Sequence, residues 1–254
     1  MPSPYDNVIS RTLSKAERRV HTSEKETPLV IEPLRSSNID FLTGFLERYS
    51  AKILEDLARC GAVLLRGFEV ESPGDFEQAI LSIRGMSGMK EVLLSEPGRT
   101  VVDGTRFVFY TNTLEKTGGT LSLGNFHTEN YYVPDVPRYI SFFCQVPSIL
   151  GGETGLLNVA KLYADLPAAL KAKLESRACF TKLYSVADMV TRYGVCTEAL
   201  EEFCAEFRLP IISMEGDRYV AVCKPSVVEH PLTGERALQV NFAAAPAVDR
   251  KSVV

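Results

Sequence analysis

Along the first third of the chain, apolar residues recur either at helical spacing or in short continuous runs. Between residues 41 and 57, apolar side chains recur at three- and four-residue steps, which is typical of a helix that buries one face. We expect this helix to begin near Asn38 and to end at Gly61, because glycine readily adopts the conformation that terminates helices. Shorter continuous apolar runs predict strands at 29–31 and 62–68, and a turn leads to a second helix predicted at 75–84.

The rest of the chain has short apolar runs separated by turn residues, a pattern typical of a β-sandwich or barrel. Strands are predicted at 106–111, 138–146, 219–223 and 237–242. Helices are predicted at 160–176, with Pro167 inside, and at 198–207. Because no repeat or linker divides the sequence, we expect a polar leader over 1–28 and one domain over 29–248.

Composition narrows the class of protein. The 254 residues are 45% hydrophobic and 24% charged, as in ordinary globular domains, and the net charge of −4 comes without a basic stripe that would attract nucleic acid. Residues 1–28 lack the apolar stretch of a secretory signal, and no run approaches membrane-spanning length, so we expect a cytoplasmic protein with no membrane partner. The six cysteines form no CxxC pair, and Cys144, inside an apolar run, is expected to be buried.

Candidate chemistry begins with His127 and Glu129, which stand two positions apart. On an extended backbone alternate side chains project to one face, so the imidazole and the carboxylate can reach a single metal ion. Two histidines and one carboxylate on one face of Fe(II), with open positions for cosubstrate and oxygen, are the ligands of non-haem iron oxygenases. Taken alone, a His-x-Glu triplet is more often an ordinary hydrogen-bonding pair than a metal site.

A second motif, Gly-Gly-Glu-Thr at 151–154, follows the strand predicted at 138–146. Its glycines allow a tight turn that would present a threonine hydroxyl to a ligand. Two further stretches are Gly-Ala-Val-Leu-Leu-Arg-Gly-Phe at 61–68 and His-Pro-Leu-Thr-Gly-Glu-Arg at 230–236. Together with Phe-His-Thr-Glu-Asn at 126–130, this order resembles the taurine dioxygenase and clavaminate synthase family of Fe(II)- and 2-oxoglutarate-dependent oxygenases.

The resemblance runs over residues 29–242 and implies a mainly β fold with flanking helices (α+β), a double-stranded β-helix or jelly roll that is incomplete at the C-terminus. It implies that His127 and Glu129 ligate Fe(II) and that Thr154 hydrogen-bonds a carboxylate of 2-oxoglutarate. It also implies that Asn125 and Phe126 lie beside the substrate.

The implied reaction consumes oxygen, releases succinate and carbon dioxide, and hydroxylates a small molecule. Family members usually carry aspartate at the position of Glu129, and the glutamate resembles the clavaminate synthase branch, which implies an amino-acid-like substrate. A carboxylate ligand argues against halogenation, whereas desaturation and ring closure stay open.

The family also needs a second histidine ligand and an arginine that binds the distal carboxylate of 2-oxoglutarate. His21 lies in the polar leader, and His230 stands in a family turn before the ligand-bearing segment, so neither is assigned as a ligand. The expected histidine and arginine would follow residue 242 and are absent. Residues 249–254 read as a translated sequencing adapter, so we expect a truncated and inactive form of the enzyme.

Two other hypotheses stay open. One is a metal-free binding or scaffold protein derived from the same fold, which the absent histidine favours. The other is a zinc-dependent hydrolase that uses His127, Glu129 and His230, against which the Gly-Gly-Glu-Thr motif argues. Neither the substrate nor the oligomeric state follows from the sequence.

Overall fold

The structure is a computed structural model that describes residues 4–19, 27–89, 101–110, 126–129, 136–149, 151–176 and 179–239. The chain divides into two compact units. Unit 1 comprises Met1–Lys90, Thr100–Thr111 and Ser141–Gly152. Unit 2 comprises Glu91–Arg99, Asn112–Ile140 and Glu153–Val254. One oxygenase domain over residues 29–248 stays a prediction.

Unit 1 contains a three-stranded sheet in the order β1-β2-β3, with strands β1 (Val8–Thr12), β2 (Leu29–Pro33) and β3 (Val63–Leu65). β1 runs antiparallel to β2, with Ser10 opposite Ile31, and β2 runs parallel to β3. The strands predicted at 29–31 and 62–68 are confirmed, the second in shortened form. β1 lies in the segment predicted to be a polar leader.

Among its described residues, unit 1 also contains a short 3-10 helix at Lys15–Glu17 and the α-helices α1 (Ile39–Arg48), α2 (Ser50–Cys60) and α3 (Pro73–Leu81). The Asn38 side chain accepts a 2.9 Å hydrogen bond from the backbone N–H of Phe41 and starts α1 as predicted. Gly61 ends α2 in the left-handed conformation, with φ of 75°. The prediction of one continuous helix over 41–57 is wrong, because the chain breaks at Tyr49, where ψ is 17°.

The core of unit 1 joins residues that are far apart in the chain. Ile31 and Leu46 are fully buried. The rings of Tyr5, Phe45 and Tyr49 pack together with centroids 5.2–5.4 Å apart. Removing such apolar surface from water is the main favourable contribution to folding, so Tyr5 belongs to the core although it precedes β1.

Unit 2 contains, among its described residues, the helices α4 (Val159–Asp165), α5 (Ala168–Ser176), α6 (Val186–Tyr193) and α7 (Thr197–Glu206). Its strands are β4 (Cys179–Ser185), β5 (Ile211–Met214), β6 (Asp217–Pro225), β7 (Val227–Glu229) and β8 (Arg236–Leu238). β4 and β5 both pair antiparallel with β6, and β7 and β8 form a separate antiparallel pair. Leu200, Val220 and Val222 are fully buried.

The predicted elements of unit 2 are recovered with changed bounds. The strand predicted at 219–223 is part of β6, and the helix predicted at 198–207 is α7. The helix predicted at 160–176 is divided into α4 and α5 at Pro167, because proline lacks the N–H that an inner turn donates. Of the strand predicted at 237–242, the described residues form the end of β8.

Two predicted strands do not form in the described part of the chain. Residues 106–110 contain only an isolated bridge from Phe109 to Val101, and residue 111 lies outside the described residues. Residues 138–146 contain no strand. An apolar run becomes a strand only when a partner satisfies its backbone N–H and C=O groups. Cys144 is exposed, so the prediction that it is buried is also wrong.

The described residues therefore combine helices with small sheets in an α+β architecture. The sheets contain three, three and two strands, and the double-stranded β-helix stays a prediction. Within the described ranges, every helix is too short or too polar to cross a membrane.

Candidate functional site

The side chains of His127 and Glu129 meet beside the intervening Thr128. Nε2 of His127 lies 3.3 Å from Oε2 of Glu129. The imidazole is 49% exposed and the carboxylate 19% exposed, so the pair is open to solvent mainly through the histidine. The structure thus brings together the two residues that the sequence predicts as metal ligands.

The spacing of these two atoms fits neighbouring positions around one metal ion. For metal–ligand bonds of roughly 2.1 Å, two donors at right angles lie about 3.0 Å apart. The observed 3.3 Å is close to that value. Without a metal, the contact is a hydrogen bond when a proton lies between the two atoms, because two facing lone pairs repel. A metal ion at this pair would take the place of that proton.

The backbone conformation at residues 151 and 152, before Thr154, favours glycine at both positions. Gly151 and Gly152 have φ values of 76° and 83°, which residues with a side chain rarely adopt. A Cβ atom on Gly152 would also lie 2.8 Å from the hydroxyl oxygen of Ser148. The tight turn stays a prediction, and Thr154 follows the two glycines as an exposed residue.

Phe126 and Gly155, which both belong to unit 2, lie next to each other. Atoms Cε1 and Cζ of the Phe126 ring lie 3.0 and 3.2 Å from the position that a Cβ on Gly155 would occupy. Phe126 precedes His127 and Gly155 follows Thr154, so the ligand segment (residues 126–129) lies beside the threonine segment (residues 153–155). Gly155 was not predicted to have a role, although a glycine directly after the motif is visible in the sequence.

His230 takes part in a turn. Its Nδ1 atom accepts hydrogen bonds from the backbone N–H groups of Leu232, at 3.3 Å, and Thr233, at 3.1 Å. When Nδ1 of a neutral imidazole is an acceptor, the proton sits on Nε2, which leaves no lone pair for a metal ion. The backbone N–H of Gly234 also donates to the carbonyl of His230, at 2.9 Å. The geometry therefore supports a structural role for His230.

Across the described ranges, no group of three or more histidine, cysteine, aspartate or glutamate side chains is arranged to hold a metal ion. His127 and Glu129 thus form a two-ligand arrangement, and the zinc site that adds His230 to them is not assembled. Asn125, which was predicted to lie beside the substrate, and His21 of the polar leader lie outside the described residues.

The carboxylate of Glu175 in unit 2 has a lowered pKa and belongs to a structural cluster of polar side chains. The hydroxyl of Tyr163 donates a hydrogen bond to Glu175, and Arg236 forms an ion pair with the same carboxylate. The tyrosine hydrogen bond contributes most to lowering the pKa of Glu175, and Arg236 adds to it. The cluster joins α4, α5 and β8, which gives Arg236 in the 230–236 motif a packing role.

Comparison with known proteins gives one family. The family model described as Taurine catabolism dioxygenase TauD, TfdA family, matches residues 29–252. No curated protein matches the chain. The matched range includes the ligand segment, the threonine segment and the 230–236 motif. The chain therefore belongs to the TauD/TfdA family, the taurine dioxygenase-like Fe(II)- and 2-oxoglutarate-dependent oxygenases.

Proposed function

We propose that the protein is an Fe(II)- and 2-oxoglutarate-dependent dioxygenase that hydroxylates an amino-acid-like small molecule and releases succinate and carbon dioxide. The family match supports the class of reaction. The observation that carries the proposal is the 3.3 Å approach of His127 Nε2 to Glu129 Oε2, which fits two positions on one metal ion. The proposal includes a double-stranded β-helix as the catalytic fold and a cytoplasmic location.

Each residue has a defined task in this proposal. His127 presents Nε2 and Glu129 presents Oε2 to Fe(II). The hydroxyl of Thr154 donates a hydrogen bond to a carboxylate oxygen of 2-oxoglutarate, and Asn125 and Phe126 contact the substrate. When bound, Fe(II) and 2-oxoglutarate supply the activation of oxygen.

Metal binding at this pair requires the lone pair on Nε2 of His127, which lies 3.3 Å from Oε2 of Glu129. A proton on Nε2 and a metal ion exclude each other. Metal affinity is therefore expected to fall as the pH falls, because protons compete for the same atoms.

Equilibrium dialysis under anaerobic conditions tests the pair directly. We expect the chain to bind Fe(II), or Mn(II) as a stable substitute, and His127→Ala and Glu129→Ala to weaken this binding by at least about tenfold. Glu202→Ala, which removes an exposed glutamate elsewhere in unit 2, is the matched control and should leave the affinity unchanged. Thr154→Val should leave metal affinity unchanged and weaken binding of 2-oxoglutarate.

Turnover needs a third protein ligand, which the described residues do not bring to the pair. Added imidazole can occupy that position. We expect Fe(II)-dependent formation of succinate from 2-oxoglutarate to be absent without additives and to appear when imidazole and a guanidinium salt are added together, because neither the second histidine nor the arginine for 2-oxoglutarate is assigned in this chain. Turnover without imidazole would show that the chain itself completes the ligand set.

Two results would contradict the dioxygenase proposal. Equal metal affinity of the wild type and Glu129→Ala would favour a binding protein derived from the same fold. Zn(II)-dependent hydrolysis that needs neither oxygen nor 2-oxoglutarate would favour the hydrolase hypothesis.

A further inference from the structure

The backbone conformation at residue 155 does not require glycine. Unlike Gly151 and Gly152, its φ lies outside the left-handed region, so an alanine could adopt the same backbone conformation. A side chain there would meet the Phe126 ring, whose Cε1 and Cζ atoms lie 3.0 and 3.2 Å from the Cβ position, so the ring would have to shift by a few tenths of an ångström. Glycine at residue 155 therefore makes room for the Phe126 ring and is not needed for the backbone conformation.

The Phe126 ring has two distinct environments. One edge packs against the backbone of Gly155, while 44% of the residue stays exposed. Because Phe126 is bonded directly to His127, a ring displacement that moves the backbone shifts the His127–Glu129 pair as one short segment. Gly155 is bonded to Thr154, so the contact of Gly155 with the Phe126 ring also sets the position of the threonine.

We propose that Gly155 is a positioning residue, whose missing side chain seats Phe126 and so fixes Thr154 relative to the His127–Glu129 pair. The inference rests on the proposed function in assigning Thr154 to 2-oxoglutarate. A Cβ at residue 155 displaces the ring and separates the threonine from the metal ligands. The His127–Glu129 pair lies within one short segment and keeps its own geometry. Binding of 2-oxoglutarate therefore weakens while binding of the metal ion alone does not.

Gly44 provides the matched substitution. It lies in α1, and a Cβ there would meet no atom within 4 Å. Gly44→Ala and Gly155→Ala thus add the same methyl group at backbone conformations that both tolerate alanine, and only the second meets an aromatic ring. Any effect common to both variants is unrelated to Phe126.

The contact between Phe126 and Gly155 can be measured without any ligand. The sequence contains no tryptophan, so Phe126→Trp places the single tryptophan of the chain at this contact. In that background, Gly155→Ala is expected to increase acrylamide quenching of the fluorescence, because the ring leaves its seat, whereas Gly44→Ala leaves the quenching unchanged. Equal quenching in all three proteins overturns the proposal.

A second experiment measures the binding of 2-oxoglutarate and Mn(II) in the chain that keeps Phe126. Gly155→Ala is expected to weaken 2-oxoglutarate binding to the Mn(II)-loaded protein by about tenfold, as displaced outer residues typically do, with Mn(II) affinity unchanged. Gly155→Ala/Phe126→Leu is expected to regain most of that affinity, because leucine leaves room for the new methyl group. Equal loss of Mn(II) and 2-oxoglutarate binding, or no rescue by leucine, overturns the positioning role.

Failure of the proposed function gives a different result. If the wild type binds neither Mn(II) nor 2-oxoglutarate, the dioxygenase assignment fails, and with it the positioning role of Gly155. The fluorescence arm still decides whether Gly155 seats the ring of residue 126. Circular dichroism of each variant establishes that it is folded before fluorescence quenching or ligand binding is compared.

Discussion

The hydroxyl of Tyr5 donates a 2.6 Å hydrogen bond to Oδ2 of Asp56, 51 positions further along the chain. Asp56 is 1% exposed, and its other oxygen accepts hydrogen bonds of 2.9 Å from Lys52 and from Arg59. A buried carboxylate is costly unless it is paired and hydrogen-bonded, so these three donors offset the desolvation of Asp56. The bond from Tyr5 also fastens the chain before β1 to α2.

Removing the Tyr5 hydroxyl is expected to destabilise unit 1. Tyr5→Phe should lower the free energy of unfolding by about 1.5–3 kcal/mol, because it takes one hydrogen bond from a buried charge. Urea denaturation measures the loss. Tyr49→Phe is the matched control, since the Tyr49 hydroxyl donates a 2.8 Å hydrogen bond to Asp6, whose side chain is 65% exposed. Its loss should stay below about 1 kcal/mol, and equal losses would contradict this account.

The same network predicts a dependence on pH. Burial opposes ionisation of Asp56, but the hydrogen bonds from Tyr5, Lys52 and Arg59 outweigh it and lower the pKa. Because the folded-state pKa is depressed, the carboxylate stabilises the fold above its unfolded pKa of about 3.9. That stabilisation is lost as the pH falls through the folded-state pKa.

We therefore expect Asp56→Asn to be less stable than the wild type by about 2–4 kcal/mol at neutral pH. The difference should shrink below about pH 4, where the wild-type carboxylate also becomes neutral. Urea unfolding of both proteins across this range tests the sign. Asp165→Asn removes a carboxylate that is 68% exposed and should change stability by less than about 0.5 kcal/mol. A constant difference for Asp56→Asn at all pH values would show that its charge is not responsible.

Two glycines in unit 1 should respond to alanine with opposite signs. The Phe107 ring occupies the space that a Cβ on Gly88 would need, so Gly88→Ala is expected to destabilise by about 1–3 kcal/mol. Gly44 lies inside α1 with open space around it, and Gly44→Ala is expected to stabilise by about 0.5–1 kcal/mol. Thermal or urea unfolding of the two variants gives the comparison.

A further variant identifies the cause. In a Phe107→Ala background, Gly88→Ala should have almost no additional effect, because the ring that it meets has been removed. If the loss persisted there, the backbone at Gly88 would be responsible and not the ring.

Local signals predicted the parts of the fold that depend on neighbours in sequence. Asn38 and Gly61 mark helix ends because their side chain or backbone acts within one turn. β1 was missed because its pairing partner, β2, lies beyond a polar stretch, and hydrogen bonding to β2 outweighs its polar sequence. At the break between α1 and α2, the Tyr49 ring contacts Tyr5, and no local pattern predicts that contact.

The candidate site shows the same division. The approach of His127 to Glu129 follows from the alternation of side chains over three residues, so the sequence was sufficient. The contact of Phe126 with Gly155 joins segments 29 positions apart, and no local pattern encodes it. Apolar character also failed to predict the burial of Cys144, because burial depends on the partner that a segment finds.

His230 offers the last prediction, because its two proposed roles respond differently to one substitution. Nδ1 accepts hydrogen bonds from the backbone of Leu232 and Thr233 in the turn between β7 and β8. An asparagine oxygen can accept the same bonds, whereas alanine cannot. We expect His230→Asn to keep stability within about 0.5 kcal/mol of the wild type and His230→Ala to lose about 1 kcal/mol.

Metal affinity separates the turn from a ligand role. If His230 only shapes the turn, both variants bind Mn(II) as the wild type does, while His127→Asn, the same substitution at the proposed ligand, weakens binding by at least about tenfold. Equal weakening by His230→Asn and His127→Asn would mean that the Nε2 atom of His230 reaches the metal. The turn seen here would then have to open, because an Nδ1 that accepts two backbone N–H groups leaves the proton on Nε2.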